Sequence, residues 1–361
     1  MKRFLIVNPY GIGDVLFSTP LLRALKDHFP DSLVGYLCNR RTQEVLETHP
    51  LVHRLFVYEK DDLRRQWRES KGRAIGSLLS LVGAIRRERF EVLLDFSLAP
   101  EFSFCLKWAG IPRRIGLDYK GRGRFLTERI LLPGFDEKPI PDYYLETLQV
   151  LGVELGGKRY RTEIWVTEED KRFAEEFLRR QGLSSTTSLI GISPGGGGSF
   201  GGVKASYRHW GREFFSELCD LLEGRLKRPV LLFWGPGEEE ICKAVVEGCR
   251  QSPFLSPKTT VRQMASLMKQ CALIITNDGG PLHVAVAARV PTLSLFGPVD
   301  EKVYGPYPPG APHRILNQPV PCRPCYQRFK LPECERNVCL QWMEPSRVFE
   351  AAKECLTHAH S

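Results

Sequence analysis

The sequence predicts an α/β protein built from two doubly wound parallel-sheet domains in tandem. Three observations predict it. Short apolar runs alternate with amphipathic stretches up to residue 151. The alternation stops in a segment bearing Gly152, Gly156 and Gly157, then restarts. The chain has 361 residues, more than one domain of about 150 residues would use.

Residues 4–7 read as a buried strand because they are uniformly apolar. Residues 19–29 read as a helix, with Leu21, Leu22, Leu25 and Phe29 on one face. Strand 32–38, short helix 41–48, strand 55–58, helix 74–89 and strand 92–96 follow in alternation. Helix 98–109 is ended by Gly110-Ile111-Pro112, a stop signal, and a short strand follows at 114–116. Helix 143–151 closes this half and 152–165 is a linker. After helix 168–180 come strand 188–192, a glycine-rich loop at 195–202 and helix 212–222. Strand 230–233, helices 238–248 and 261–269, strand 272–276, helix 282–288 and strand 292–296 complete the second alternation. Beyond Pro298 the chain is proline-rich and irregular up to the cysteine cluster, and a final helix, 345–356, follows. The expected domains are 1–165 and 166–344, the latter with a cysteine-rich segment at 322–339. The C-terminal helix, 345–361, is a candidate to pack back on the first domain. Parallel sheets bind ligands at the carboxyl ends of their strands, so the expected working cleft is between the domains.

Apolar residues at 42% and charged residues at 26% exclude general disorder. Lys and Arg number 51 against 42 Asp and Glu, a net charge of +9 that calls for an anionic partner: nucleic acid, a membrane surface or a phosphorylated ligand. The excess concentrates in residues 61–129, with 15 Lys/Arg against 9 Asp/Glu. No apolar stretch reaches the ~20 residues of a membrane span. Met1-Lys2-Arg3 resembles the start of a signal peptide, but the apolar run stops at Asn8. The expected location is cytoplasmic, with the 11 cysteines reduced.

Four constellations could carry chemistry. Gly11-Ile12-Gly13-Asp14 follows the first strand, and Asp14 reads either as a helix cap or as a general base. Ser193-Pro194-Gly195-Gly196-Gly197-Gly198 offers backbone N–H groups to an anion, with Lys204 and Arg208 to neutralise it, or is a plain surface loop. Asn277-Asp278-Gly279-Gly280-Pro281-Leu282-His283 opens a helix behind a buried strand, a seat for a diphosphate. Cys322, Cys325, Cys334 and Cys339 begin with a C-x2-C pair; they read as a structural zinc site, as packed free thiols or as a redox-labile pair. No Asp-x-Asp pair is present to hold a divalent cation at a diphosphate, which leaves helix ends and Arg, Lys and His for that task.

Together these stretches resemble glycosyltransferase family 9, the bacterial ADP-heptose–lipopolysaccharide heptosyltransferases. The resemblance runs through Leu5-Ile6-Val7 with Gly11-Ile12-Gly13-Asp14, and through Ala109 to Gly116. It continues in Ser193 to Gly197 ahead of Arg208-His209-Trp210, in Thr276 to His283, and in Leu295-Phe296-Gly297-Pro298. The cysteine cluster looks like one found in part of the family, where it does not by itself establish a metal. The resemblance implies a GT-B fold, two Rossmann-like domains facing a central cleft. It implies an inverting transfer of heptose from ADP-heptose to a lipopolysaccharide inner-core acceptor, with no cofactor or metal required. It gives Asp14 the role of base. It makes Gly195, Gly196, Lys204, Arg208, Asp278, Gly279, Gly280 and His283 donor-binding residues. Glu238, or Glu239 one residue on, is similar to a family acid that binds the nucleoside ribose. Arg208 departs from the family's usual lysine at that position. The acceptor is an anionic glycolipid, to be met by Gly13, Arg64, Arg65, Lys71, Arg73, Arg122 and Arg124 of the first domain, each of which also reads as a solvated surface residue. Peripheral contact with the cytoplasmic face of the inner membrane, and no nucleic acid partner, follow from the same resemblance.

Two other readings stand beside it. One is a different GT-B enzyme with another nucleotide sugar, transferase or epimerase; an epimerase would need more cleft carboxylates and histidines than Asp14 and His283. The other is a basic zinc- or nucleic-acid-binding protein, which the charge permits but for which no recognised nucleic-acid motif is present.

Overall fold

The computed structural model describes residues 1–184, 187–197 and 207–358. Contacts divide the chain into two units, Met1–Phe135 with Ile140–Arg161, and Asp136–Pro139 with Thr162 onward.

The first unit contains β1 (Arg3–Val7), α1 (Ile12–Phe17), α2 (Thr19–His28), β2 (Leu33–Cys38), α3 (Gln43–Glu47), β3 (Arg54–Val57), α4 (Lys60–Glu69) and α5 (Lys71–Arg87). It continues with β4 (Val92–Asp95), α6 (Pro100–Trp108), β5 (Arg113–Asp118), β6 (Glu128–Leu131) and α7 (Ile140–Gln149). All six strands are parallel, in the order β3-β2-β1-β4-β5-β6. The chain winds outward from β1 to β3, then crosses back to lay β4 beside β1, with Val7 opposite Asp95. The connections leaving β1 and β4 therefore diverge to opposite faces, and a crevice opens at their carboxyl ends. Helices cover both faces, so β1 and β4 are apolar almost throughout.

The second unit contains α8 (Glu168–Arg180), β7 (Leu189–Ser193), α9 (Arg212–Leu226), β8 (Val230–Leu232), α10 (Glu239–Gly248), β9 (Phe254–Leu255) and α11 (Val261–Met268). Then come β10 (Cys271–Asn277), α12 (Gly280–Ala287), β11 (Thr292–Phe296), α13 (Glu301–Tyr304), β12 (His313–Asn317), α14 (Val338–Gln341) and α15 (Pro345–His358). Its parallel order, β12-β11-β10-β7-β8-β9, repeats that of the first sheet, so the reversal falls between β7 and β10, with Thr276 opposite Ser193. The two doubly wound sheets are the fold class the sequence predicts.

The structure corrects several elements. The C-terminal helix joins the core of the second unit. Val348, Phe349, Ala352 and Leu356 of α15 share a core with Ile190, Leu273 and Leu295 of the second sheet. The first helix starts earlier than its apolar periodicity indicates, at Ile12, and breaks at Ser18 ahead of Pro20. α4 buries no residue, so it offers no apolar stripe to read. The region after Pro298 is not wholly irregular; it adds β12 to the sheet edge. Among the described residues, no helix is long and apolar enough to cross a membrane.

Candidate functional site

The first crevice gathers Asp14, Tyr10 and Asp95. Gly11 leaves β1 and caps α1, whose third residue is Asp14. Asp14 Oδ2 accepts a hydrogen bond from the Gly11 N–H at 3.1 Å, and the Asp14 carbonyl accepts from Asn8 Nδ2 at 2.9 Å. The capping role is therefore present, and it fixes the half-buried carboxylate at the strand's carboxyl end. From β4, Asp95 is buried, accepts from the Ser97 N–H at 2.9 Å and from the Ser103 hydroxyl, and burial pushes its carboxyl up. The Tyr10 hydroxyl donates to the Ser97 carbonyl, which spans the two loops. Burial, then the carboxylates of Asp14 and Asp95, raise the Tyr10 phenol, while Arg122 pulls it down. Arg122 is thus the acceptor candidate brought to this group. Tyr10 and Asp95 were not singled out from sequence. The available signal for Asp95 was a carboxylate directly after the apolar run Val92–Leu94.

The second crevice is tighter. Asn277, fully buried at the end of β10, donates from Nδ2 to the Pro194 carbonyl at 2.7 Å and accepts from the Trp210 N–H at 3.2 Å. One side chain thereby ties three segments. Glu238 is buried and ties two more, accepting from the Gly197 N–H at 2.7 Å and the Gly235 N–H at 2.9 Å. Of the adjacent pair Glu238 and Glu239, Glu238 is the inward one. The Gly195–Gly197 turn is pressed against the Asp278–Gly280 turn so closely that a Cβ on Gly279 would lie 1.5 Å from the Gly196 carbonyl oxygen. Immediately after it, α12 begins. Its first-turn N–H groups have no partner within the helix, so the helix end carries a positive field for an anion.

Two of the predicted donor-binding residues, Arg208 and His283, are buried here. Arg208 is buried and committed to Asp278, donating from Nη2 to Oδ2 at 2.6 Å and to the Asp278 carbonyl at 2.8 Å. Burial pushes the Asp278 carboxyl up while Arg208 opposes that shift. Burial, reinforced by Arg208, holds the His283 imidazole down to about 3, so His283 is neutral at physiological pH in the chain without a bound anion. Lys204 and the rest of the loop after Gly197 lie outside the described residues.

Removing Arg208 should leave the Asp278 carboxylate buried without its ion partner. Arg208→Met is expected to lower unfolding free energy by about 3–5 kcal/mol, and adding Asp278→Asn should restore part of it. Urea denaturation measures both. A loss below about 1 kcal/mol would mean that the pair behaves as a surface ion pair.

The remaining predicted residues are placed as follows. Gly13 is on the first turn of α1. Arg64, Arg65, Lys71 and Arg73 are exposed on α4 and α5. Arg64, Arg65 and Arg73 pair with Asp61, Asp62 and Glu69 on the same hairpin. Arg124 stacks over Phe125 at 5.0 Å. Among the four clustered cysteines, Cys322 is exposed and Cys339 is buried. Burial and its neighbouring thiols push Cys339 up to about 11. Among the described residues, no group of three His, Cys, Asp or Glu side chains is arranged to hold a metal ion.

The family model for glycosyltransferase family 9 (heptosyltransferase) matches residues 78–334. Lipopolysaccharide heptosyltransferase 3 of Escherichia coli is 23% identical over 312 residues, 82% of each chain. Lipooligosaccharide heptosyltransferase 2 of Campylobacter jejuni is 27% identical over 183 residues, which span 49% of this chain and 54% of that relative, about half its length. Among solved structures, the family 9 glycosyl transferase of Veillonella parvula superposes with a TM-score of 0.82 at 25% identity, covering 99% of this chain and 98% of its own.

Proposed function

The chain belongs to glycosyltransferase family 9, and from that premise we propose that it moves a heptose from ADP-heptose to a hydroxyl of a lipopolysaccharide inner-core acceptor, with inversion and without a metal. The observation that carries the reading is the second crevice. A Cβ on Gly195 would meet the Glu238 carboxylate at 2.3 Å and one on Gly279 the Gly196 carbonyl oxygen at 1.5 Å, and these turns border the N-terminus of α12. Close backbone approach next to a helix N-terminus suits a diphosphate, as in other doubly wound folds.

In this reading the nucleoside diphosphate sits at Gly195, Gly196, Gly279 and Gly280 of the second unit. As the glycosidic bond breaks, charge builds on the leaving diphosphate, and the α12 end stabilises it. Asp278 holds Arg208 in place, so Arg208 contributes hydrogen bonds and a charge already paired with that carboxylate. Glu238 braces the turns by its two N–H contacts, and any ribose contact it makes is additional to them. Asp14 of the first unit takes the proton from the attacking hydroxyl as the anomeric carbon acquires oxocarbenium character. Arg122, whose charge acts on Tyr10, is a candidate to meet an acidic acceptor group.

The adenine preference and the heptosyl group come from the family resemblance, and a titration tests the first directly. Calorimetry with ADP, UDP, GDP and NAD, run in EDTA, should give ADP the tightest binding, by about tenfold or more, equal to about 1.4 kcal/mol. A clear UDP preference would favour another nucleotide-sugar enzyme. Binding that needs a divalent cation would overturn the metal-free reading.

A further inference from the structure

Two thiols of the second unit meet where α9 packs on α10. Cys219 is fully buried in the middle of α9, and Cys249, the residue that ends α10, is half-buried. Contacts between their neighbours bracket the pair on both sides. Ser216 Oγ, one turn before Cys219, donates to the Val245 carbonyl of α10 at 2.9 Å. A Cβ on Gly248 would lie 2.6 Å from that same oxygen, so the two helices approach closely beside Cys249. On the other side, Asp220 Oδ1 accepts from the Arg250 N–H at 2.8 Å and from the Gln251 N–H at 3.3 Å. Backbones held this close are what a disulfide between helices requires.

The sulfurs themselves are in contact. Cys249 Sγ lies 3.7 Å from the Ser216 carbonyl across the interface and 3.1 Å from the Val245 carbonyl of its own helix. The Cys219 thiol hydrogen-bonds to Cys249, which holds the Cys249 thiol below its ordinary value and lifts Cys219 well above it. Burial and the carboxylates of Asp220 and Glu223 oppose the lowering at Cys249. The two thiols therefore differ in kind: one is half-exposed and the more acidic, the other is buried and protonated. Two other buried thiols of this unit are engaged elsewhere. Cys242 donates to the Phe233 carbonyl at 3.4 Å and Cys271 to the Leu267 carbonyl at 3.7 Å, and burial pushes both up.

We propose that Cys249 and Cys219 form a peroxide-reactive pair, in which a hydroperoxide oxidises the half-exposed Cys249 and the buried Cys219 resolves it into a disulfide that clamps α9 to α10. The Cys249 thiolate attacks one peroxide oxygen. The S–O bond forms, the O–O bond breaks and hydroxide leaves, so the sulfur loses the two electrons that the peroxide gains. The Cys219 sulfur then attacks the sulfenic sulfur. The S–S bond forms, the S–O bond breaks, and the Cys219 proton leaves with the hydroxide as water. Two thiols and one hydrogen peroxide give one disulfide and two waters. Resolution by Cys219 also keeps Cys249 from the irreversible sulfinic stage. The ten residues of α10, about 15 Å of helix, separate Cys249 from Glu238, so the clamp leaves the brace on the glycine turns in place. The pair does not rest on the transfer reaction.

The test is hydrogen peroxide treatment of the native full chain, then alkylation of the remaining thiols, tryptic digestion without reductant and mass spectrometry. Trypsin isolates each sulfur, because Cys219 falls in peptide 213–225 and Cys249 in peptide 244–250, with no other cysteine in either. The two peptides should appear joined, and dithiothreitol should separate them again. In Cys219→Ala, dimedone should trap Cys249 as its sulfenic acid about tenfold more than in the wild-type chain. In Cys249→Ser, oxidation of Cys219 should slow by about tenfold or more, because that thiol is buried and protonated. The proposal is overturned if the native wild-type chain yields no joined peptides, or yields them only in urea. It is also overturned if Cys219 oxidises as fast in Cys249→Ser as in the wild-type chain. Disulfides confined to Cys322, Cys325, Cys334 and Cys339 would overturn it too, and would place the peroxide-reactive thiols in that cluster.

Discussion

Asp14→Asn should reduce kcat by about 10²–10⁴-fold and leave ADP affinity within about twofold. The substitution keeps the side chain's shape and its carbonyl-type oxygen, so the hydrogen bond from the Gly11 N–H at 3.1 Å can persist. What it removes is a basic lone pair at the carboxyl end of β1. The stability change should stay below about 1 kcal/mol, since only the anionic character of the cap is lost. Asp95 is not an alternative base. Both its oxygens are engaged, by the Ser97 N–H and the Ser103 hydroxyl, and it is buried beneath the loops. Tyr10 is not one either, because burial and two carboxylates hold its phenol protonated. Initial rates at saturating donor and acceptor, with calorimetry for ADP, separate the outcomes. Undiminished turnover would remove Asp14 from the base role. A parallel loss of ADP binding would show that Asp14 acts through the fold and not through proton transfer.

The same residue shows what was legible in the sequence. Asp14 and the Asn277–Gly280 turn announce themselves locally, because a sharp strand-to-helix turn needs glycine and a helix start favours particular residues. The buried strands announce themselves too, since a parallel strand covered on both faces is a plain apolar run. The edge strands β6, β9 and β12 do not, although β3 does. β6 buries no residue, alternating half-buried with exposed positions, and β9 has two residues. α4 has no buried side chain to mark its period. Strand order is the larger omission. That β4 lies beside β1, and β10 beside β7, is set by packing between segments distant in sequence, such as Phe4 against Val92 and, 83 residues apart, Asn277 against Pro194. Tyr10, Asp95 and the Asn277 tie therefore emerge only from the folded chain. Burial likewise keeps His283 neutral in the chain without a bound anion and sets Arg208 against Asp278, neither of which the sequence pattern shows.

Gly279→Ala should cost the second unit both stability and nucleotide binding. The added Cβ would lie 1.5 Å from the Gly196 oxygen and 2.6 Å from its carbonyl carbon. These are backbone atoms, so no side chain can rotate away. On one side, the Gly195–Gly197 turn is held by Asn277 through the Pro194 carbonyl and by Glu238 through the Gly197 N–H. On the other, Gly279 leads into α12, whose residues from Pro281 to Ala287 are buried. Something held must move. Overpacking of this kind costs about 1–3 kcal/mol or more, seen as a lower urea midpoint. The turn that gives way borders the proposed diphosphate seat, so ADP affinity should fall about 100-fold, near 2.7 kcal/mol. Gly76→Ala supplies the control, because nothing lies within 4 Å of the new methyl on α5, and alanine in an exposed helix interior stabilises by about 0.5–1 kcal/mol. Wild-type ADP affinity in Gly279→Ala would place the nucleotide elsewhere, since backbone could not have shifted at the turn without changing what the turn holds. Lost affinity with an unchanged urea midpoint would instead mean that the loop yields cheaply and that Gly279 serves the ligand more than the fold.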